Sequence, residues 1–502
     1  MSSRAITWRL FLTCWVLFSM HFATNIAREY YPAFSLAERG TLRVDPYVGL
    51  HPDLFEVPGR GAFMNNNPGA SIPAALPYLL ARPIVDPLVA RAAAARAASG
   101  EELTADYDDH RPLRRKFFKQ VREKGLDLRF GMASGIIQVG YTAPLSALAV
   151  VVMRSVLLRM GFGAAWALGL ALLYGFGTPV FFRTGFINQN LAVAHLALFS
   201  FASIYRREDR SPSPRSLLAA GFLAGYGLFC DYSGLVPIVV LGAYALAKLT
   251  AEHGTREGVL RSLPMVAGGV LGCALLLGYQ AWAFGDPLYP AQHYMPATEF
   301  SGDGWNGIHL PALDLALQNL VDPRFGLFTA GTGLLLAFAA PFLRAGPGPR
   351  LARREQILCL AMFVGIWLFA SSVAFARLQW NTGVRYLLPA VPFLFLLGAT
   401  VWARLPQRAV ALLAGATLLQ GWSLAMVRET PAESLATTLL GGLQLPWLTV
   451  LGKMGAQYLP FFEGRAPDPT LLFVAVFGAL AWLWWPLRSQ GRSLDDNAEV
   501  TP

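Results

Sequence analysis

A carboxylate that follows the first apolar run of the chain is the first candidate for chemistry. Glu29 stands just beyond the run at 10–26, and the Tyr/Ala-rich stretch after it favours a helix beginning there. A carboxylate at the lipid–water boundary is partly desolvated, which raises its pKa toward that of a general base. The sequence equally allows Glu29 to pair with Arg28 or with a lipid headgroup. Asp45 is a second candidate for the catalytic acid, and Asp53 and His51 are further ones.

Arginines at the same kind of boundary are candidates for binding phosphate. Arg385 and Tyr386 open an apolar helix in the stretch "RYLLPAVPFLFLLGA". A guanidinium presents a planar fork of donors that suits phosphate oxygens. Several such groups at one boundary favour recognition of a lipid-linked phosphate, although each is also typical of an interface anchor. The arginines at this boundary are Arg183, Arg324, Arg377 and Arg385.

The segment 285–311 is rich in Tyr, Trp, His, Asn and Asp, which suit the faces and hydroxyls of a sugar but also an interfacial belt. His293 in this segment is a candidate for substrate binding. Asp231, between two apolar runs, is another, because an acid near lipid is usually functional. His293, His309 and Asp303 are the residues that would hold a divalent cation. No paired ligand spacing supports such a site, so we predict no firm cofactor or metal.

The composition identifies the class of protein that must position these groups. Of 502 residues, 54% are hydrophobic and only 14% are charged, whereas soluble domains carry about 25% charge. This balance excludes a soluble enzyme, a disordered chain and a nucleic-acid binder with a single anchor. The four cysteines lie far apart in apolar runs, which is typical of core residues. No Walker loop, dinucleotide fingerprint, nucleophile elbow or metalloprotease motif is present.

Long runs without Asp, Glu, Lys or Arg predict the architecture. A helix needs about 20 mostly apolar residues to cross a bilayer, and these runs do not alternate as barrel strands would. We therefore predict an all-α polytopic membrane protein with about twelve transmembrane helices and a turn at Asp231. The runs are 10–26, 131–153, 160–182, 184–205, 216–230, 232–247, 262–285, 325–343, 356–376, 386–403, 409–427 and 469–487.

The placement of Lys and Arg predicts the orientation. These residues concentrate in cytoplasmic loops, and with twelve spans they concentrate in the loops on the side of both termini. We therefore expect a multi-pass protein of the inner (plasma) membrane with its site on the extracytoplasmic face. The division is a stub and first helix at 1–26, a large outer loop at 27–130, a bundle at 131–427 with an outer loop at 286–324, an outer loop at 428–468, and a last helix with a tail at 469–502.

One segment of the first outer loop leaves the topology open. Residues 65–88 are apolar but contain four prolines after Pro68, together with Arg82 and Asp86. A charge at the centre of a bilayer costs about 2.5–3.5 kcal/mol on insertion scales. We expect this segment to lie at the outer interface, with a true crossing as the competing topology.

Together these features resemble the GT-C glycosyltransferase superfamily, which includes the protein O-mannosyltransferases and the lipid A aminoarabinose transferase. The stretch "AREYYPAFSLAERGTLRVD" resembles the acidic motif after the family's first helix, with Glu29 in place of the usual acidic pair. The segment that Asn65 opens resembles the family's outer-loop helix and makes Asn65 a candidate for substrate binding. The start "RYLLP" at Arg385 matches a late helix of the family.

The resemblance implies transfer of a sugar, with inversion, from a polyprenyl-phosphate donor to a hydroxyl of a lipid, glycan or protein acceptor. A carboxylate would take the acceptor's proton while arginines stabilise the charge on the departing phosphate. Membrane lipids are expected partners and nucleic acid is not. The alternatives are a transporter or flippase of lipid-linked sugars, which needs charges near the bilayer midplane, and a non-catalytic membrane scaffold.

Overall fold

A computed structural model describes residues 3–21, 27–99, 112–205, 211–302, 304–343, 348–377, 385–458, 461 and 464–495. The protein is 76% helical with almost no sheet, which agrees with an all-α membrane protein. The helices of the first outer segment and its neighbours are α1 (Ser3–Ser19), α2 (Tyr30–Arg39), α3 (Ser71–Ser99), α4 (Pro112–Glu123), α5 (Asp127–Ile137) and α6 (Ala143–Arg159). The central helices are α7 (Ala164–Phe176), α8 (Pro179–Thr184), α9 (Gln189–Ile204), α10 (Pro214–Cys230), α11 (Leu235–His253), α12 (Thr255–Phe284), α13 (Leu313–Val321) and α14 (Leu327–Ala330). The last helices are α15 (Arg353–Ser371), α16 (Val391–Trp402), α17 (Gln407–Val427), α18 (Pro431–Gly441), α19 (Pro446–Tyr458) and α20 (Pro469–Asp495).

Short elements connect these helices. The strands β1 (Leu54–Val57) and β2 (Gly61–Met64) form an antiparallel hairpin in which Leu54 pairs with Met64. A π-helical turn, Gln138–Thr142, joins α5 to α6 without a break. The 3-10 turns are Asp45–Tyr47, Pro68–Ala70, Tyr232–Gly234, Ala291–His293, Thr332–Phe342, Ala374–Arg377 and Leu388–Ala390.

Six of the described helices are long and apolar enough to cross a membrane, or seven if one bent pair counts as a single span. The number twelve is therefore not confirmed. Several apolar runs end early at glycine and proline, as the run 160–182 does where α7 stops before Gly177 and Pro179 starts α8. The six are Pro68–Ala98, Asp127–Arg159, Tyr232–His253, Thr255–Phe284, Arg353–Ser371 and Gln407–Val427.

The structure describes three segments whose path bears on the number of spans: the Asp231 turn, the segment 65–88 and the segment 428–468. The chain turns at Asp231, as the spacing predicts, because α10 ends at Cys230 and a 3-10 turn leads into α11. Most of the segment 65–88, from Ser71 onward, lies in the continuous helix α3, which together with the preceding 3-10 turn has the length and hydropathy of a span. The segment 428–468 contains α18 and α19, and α18 with the first part of α19, bent by 61°, has the length and hydropathy of one broken span or of a re-entrant loop.

Close helix packing sets the position of the Asp231 turn. A Cβ at Gly221 would lie 1.9 Å from the carbonyl oxygen of Met265, and a Cβ at Gly225 would lie 2.4 Å from that of Gly269. Small residues spaced four apart let two helix backbones approach in this way. Helices α10 and α12 are therefore in backbone contact, and Asp231 is held at the end of a fixed pair.

The first outer segment has its own apolar core. Tyr30, Phe34, Tyr47, Tyr78 and Phe130 pack together and are almost completely buried. This aromatic cluster joins α2, α3 and α5, and aromatic side chains bury large apolar areas. Since Glu29 immediately precedes α2, the cluster fixes the place of its carboxylate.

Candidate functional site

A cavity of about 1280 Å³ brings together most of the residues that the sequence selects. Its walls come from the first outer segment, from α8 and the turn after it, from the Asp231 turn, from α12 and the segment behind it, and from the ends of α17 and α19. Eight of the residues that the sequence selects line it: Glu29, His51, Asp53, Asn65, Arg183, Asp231, Arg385 and Tyr386.

Arg28 is the centre of the acidic side of this cavity. Its Nε donates to Glu29 Oε1 at 3.0 Å, and its Nη1 donates to Asp53 Oδ2 at 2.7 Å and to Asn65 Oδ1 at 2.6 Å. Burial disfavours the charged guanidinium, but the carboxylates of Asp53 and Glu29 outweigh this effect, so the pKa of Arg28 lies above its usual value. The pairing of Glu29 with Arg28 that the sequence allows is therefore present.

Glu29 precedes the first turn of α2 and is 4% exposed. A negative charge is favoured at a helix N-terminus, where the backbone N–H groups point outward. Its backbone carbonyl accepts a hydrogen bond from Ser71 Oγ at 2.7 Å, which ties the start of α2 to the start of α3. The carboxylate thus occupies a defined position on the cavity wall.

Three guanidinium groups form the basic side of the cavity. Arg183 lies on the short helix α8 and is 2% exposed, Arg385 lies just before the turn that starts α16, and Arg428 follows the last residue of α17. Burial and the charges of Arg385 and Arg428 lower the pKa of Arg183 well below its usual value. Arg385 Nη2 donates to the Tyr386 hydroxyl at 2.6 Å. This side of the cavity is suited to an anion.

A second carboxylate faces the cavity from the Asp231 turn. Asp231 Oδ1 accepts the N–H of Ser233 at 2.9 Å, and Oδ2 accepts from Asn66 Nδ2 at 3.4 Å. Gln280 on α12 also lines the cavity and donates to the Tyr232 hydroxyl at 2.8 Å. Carboxylate and amide groups of this kind suit the hydroxyls of a sugar.

Apolar side chains form part of the remaining wall and reach the protein surface. Leu235, Leu277, Leu288 and Trp305 all line the cavity and are exposed. Exposed apolar side chains at the rim of a polar cavity are typical of a lipid or ligand site. One end of the cavity is therefore polar and charged, and its rim is apolar.

The structure places four residues that the sequence selects for catalysis or substrate binding outside the cavity lining: Asp45, His293, Arg324 and Arg377. Arg377 forms an ion pair with Asp314. Asp45 accepts the N–H of Ala62 at 2.8 Å at the base of the hairpin, so its carboxylate is occupied in holding β2. Arg324 is exposed beside Asp322, because the chain bends there between α13 and α14. His293 is exposed and stacks on Tyr289, with 4.4 Å between ring centroids.

Within the described chain no group of three or more His, Cys, Asp or Glu side chains is placed to hold a metal ion. His293 and His309 belong to the predicted set of metal ligands, and Asp303 lies outside the described residues.

Comparisons with known families, proteins and structures identify no similar protein. No protein-family model matches the chain, and no curated protein or solved structure matches it. What the site does is therefore argued from its own geometry.

Sequence reasoning did not select three residues that the structure places in the site. Arg28 was considered only as a partner of Glu29, although it also binds Asp53 and Asn65. Arg428 directly follows the apolar run 409–427, the same boundary position that drew attention to Arg183. Asn66 stands beside Asn65 and gave no separate signal. The boundary position of Arg428 was thus a signal that could have been used.

We expect Arg28→Met to destabilise the protein strongly. The change leaves Glu29 and Asp53 without the cation that pairs them, and breaking a buried ion pair from one side costs about 3–5 kcal/mol. Thermal unfolding of the purified protein in detergent near neutral pH measures this loss. In the matched control, Arg39→Met, the exposed pair with Asp45 is worth about 1 kcal/mol or less. Equal melting temperatures for the two variants would contradict the central role of Arg28.

We expect His51 to make the protein sensitive to mild acid. Burial lowers the pKa of His51 from 6.5 to about 4. The charge of Asp53 opposes this shift, and the charges of Arg28 and Arg385 add to it. Its Nδ1 accepts the N–H of Asp53 at 3.0 Å, which requires the neutral ring. Since the folded state binds this proton less readily than the unfolded state, stability falls as the pH drops from about 6.5 toward about 4.

The measurement is the melting temperature across that pH range for the wild type and for His51→Asn, whose amide oxygen can still accept the Asp53 N–H. Between these pH values the free energy of unfolding of the wild type should fall by up to about 3 kcal/mol more than that of the variant. His293→Asn, which removes a histidine outside the cavity, controls for the loss of an imidazole. Identical pH profiles for wild type and His51→Asn would refute the assignment.

Proposed function

We propose that this protein is a membrane glycosyltransferase that moves a sugar from a polyprenyl-phosphate donor to an acceptor hydroxyl, with inversion at the anomeric carbon. The observation that carries the proposal is the sharing of one cavity by a buried carboxylate, Glu29, and a cluster of arginines that includes Arg183 and Arg385. The resemblance of their sequence motifs to the GT-C superfamily agrees with it.

Each part of the reaction has a matching group. Glu29 takes the proton of the acceptor hydroxyl, whose oxygen bonds to the anomeric carbon from the face opposite the phosphate. The bond between that carbon and the phosphate oxygen breaks, and the phosphate leaves with the electron pair. Donors fixed at Arg183 and Arg385 stabilise this growing charge without having to reorganise, which is the main electrostatic source of rate enhancement.

The position of Glu29 next to Arg28 bears on its use as a base. The ion pair with Arg28 fixes the Glu29 carboxylate on the cavity wall, where it can meet an acceptor hydroxyl. Arg28 also holds Asp53 at the same site, and Asp53 is the alternative base. Burial acts to raise the pKa of Asp53, but Arg28 and its other neighbours outweigh burial and lower it, so Asp53 is a weaker base than an ordinary aspartate.

The apolar rim suits a polyprenyl chain. Leu235, Leu277, Leu288 and Trp305 are exposed at the edge of the cavity, and each CH₂ group buried against such a surface contributes about 0.8 kcal/mol. A donor with its phosphate at the arginines and its chain over this rim bridges water and lipid. We place the site at the extracytoplasmic face of the inner (plasma) membrane, as the arginine and lysine distribution predicts.

The test compares glycolipids and glycans by mass spectrometry in cells that lack the chain, carry the wild type, or carry Glu29→Gln. We expect one glycosylated product only with the wild type, and accumulation of the polyprenyl-phosphate sugar in the other two. A flippase would instead move the donor across sealed vesicles without consuming it. If the wild type and the cells lacking the chain have identical products, the transferase proposal fails.

A further inference from the structure

Two guanidinium groups of the cavity share the same pair of aromatic rings. The Cζ atom of Arg183 lies 4.9 Å from the centroid of Phe182 and 5.7 Å from that of Phe186. The corresponding distances for Arg428 are 5.7 Å and 5.9 Å. Like charges gathered on one aromatic platform repel each other, and an anion between them relieves that cost. Arg428 therefore belongs with the arginines that the sequence selected for phosphate.

The surrounding chain sets Arg428 in place. It ends α17 in the left-handed conformation, with φ 65°, and its Nε donates to the carbonyl oxygen of Ala425 at 3.2 Å. Its Nη2 lies 3.2 Å from His21 Nε2. A Cβ at Gly185 would lie 2.1 Å from the same Nη2. The guanidinium thus passes directly over a residue that has no side chain.

The charges at this end of the cavity indicate the class of anion. Arg28 is shared by Glu29 and Asp53, so these three side chains together carry one negative charge. Three positive charges come from Arg183, Arg385 and Arg428. The charges of the last two both lower the pKa of Arg183. Asp231, Arg114 and Lys116 also line the cavity, and with them the described lining has three more positive than negative charges. Such an excess favours the more highly charged of two phosphate esters, and a phosphate monoester is nearly a dianion at neutral pH.

We propose that Arg428, seated over Gly185, completes a three-arginine site that binds a lipid phosphate monoester in preference to a phosphate diester. This inference rests on the proposed function, in which the donor is a diester with one negative charge and the departing polyprenyl phosphate is a monoester. An enzyme gains rate from interactions that strengthen as the reaction proceeds. The third arginine supplies the charge that balances the leaving group, and it makes the lipid product a tight inhibitor.

The experiment measures binding of two probes to the purified full-length protein in detergent: farnesyl phosphate and its monomethyl ester. We expect the monoester to bind roughly 10–100-fold more tightly, because it makes an additional charge-assisted contact. Lowering the pH from about 7.5 to about 5.5 should shrink this preference, because the monoester gains a proton with a pKa of about 6.

Two variants test the role of Arg428. Arg428→Gln should bring the two probes to similar affinity, and Gly185→Ala should do the same in part by displacing the guanidinium while leaving its charge present. The controls are Arg324→Gln, which removes an exposed arginine outside the cavity, and Gly415→Ala, at a glycine of α17 with no atom within 4 Å of the added Cβ. Both controls should keep the wild-type preference.

The outcomes separate this inference from the proposed function. If folded Arg428→Gln keeps the wild-type preference for the monoester, the inference is overturned even where sugar transfer is intact. Competition by inorganic phosphate as strong as that by farnesyl phosphate would show a site for free phosphate and overturn the lipid assignment. A monoester preference that depends on Arg428, in a protein that transfers no sugar, would support this inference and remove the proposed function alone.

Discussion

Replacement of Glu29 by Gln is expected to lower the rate of sugar transfer by about 10²–10⁴-fold, the range that general-base catalysis typically contributes. The amide can still accept the hydrogen bond from Arg28 Nε, and the backbone bond to Ser71 is unchanged. What is lost is the ability to take the acceptor's proton. Transfer from a polyprenyl-phosphate sugar, measured alongside donor binding and melting temperature, checks this. We expect donor affinity and stability to change little.

Matched variants show whether the effect belongs to Glu29. Glu56 is exposed on strand β1 in the same outer segment, and Glu56→Gln should leave the rate unchanged. Asp45→Asn should also leave the rate unchanged, because Asp45 holds the hairpin instead of lining the cavity. Full transfer by Glu29→Gln would exclude Glu29 as the base and direct attention to Asp53→Asn.

Removal of the Arg385 guanidinium is expected to reduce the catalytic efficiency toward the donor by about 10²–10³-fold, as loss of one fixed donor to a developing charge does. Arg385 lines the cavity with Arg183 and Asp53, and its charge lowers the pKa of both groups. Arg385→Ala removes the charge and the fork of donors. Arg385→Lys keeps the charge without the fork and should recover only part of the loss.

Kinetics with a polyprenyl-phosphate sugar and direct binding of polyprenyl phosphate measure this effect. Arg324→Ala is the matched control, because Arg324 was selected from the sequence by the same reasoning but is exposed beside Asp322. We expect that variant to behave as the wild type does. Unchanged donor affinity in Arg385→Ala would mean that Arg385 is an interface anchor and not a phosphate ligand.

The contrast between Arg385 and Arg324 shows the limit of boundary position as a signal. Both arginines stand next to apolar runs, and so do Arg183 and Arg428. Three of the four line the cavity, while Arg324 lies exposed in the turn between α13 and α14. Which boundary residue faces inward depends on how the neighbouring helices end, and a hydropathy profile does not contain that information.

The amino-acid sequence alone determined the class of the protein and several local features. Scarce charge and long apolar runs require an all-α membrane protein, since only helices satisfy the backbone in such segments without alternation. The glycines around Asp231 predicted the turn between α10 and α11. Glu29 and Arg385 were selected from residue type and position alone. All of these follow from interactions between residues close together in the chain.

Only the tertiary structure decided how many apolar runs form full-length helices and which polar groups meet. Arg28, Arg183, Arg385 and Arg428 lie far apart in sequence, and they converge because α2, α8, α16 and α17 pack around one cavity. Arg428 reaches its place because Gly185 leaves room for the guanidinium. Such contacts depend on side-chain volumes at helix crossings distant in the chain, and no local pattern encodes them.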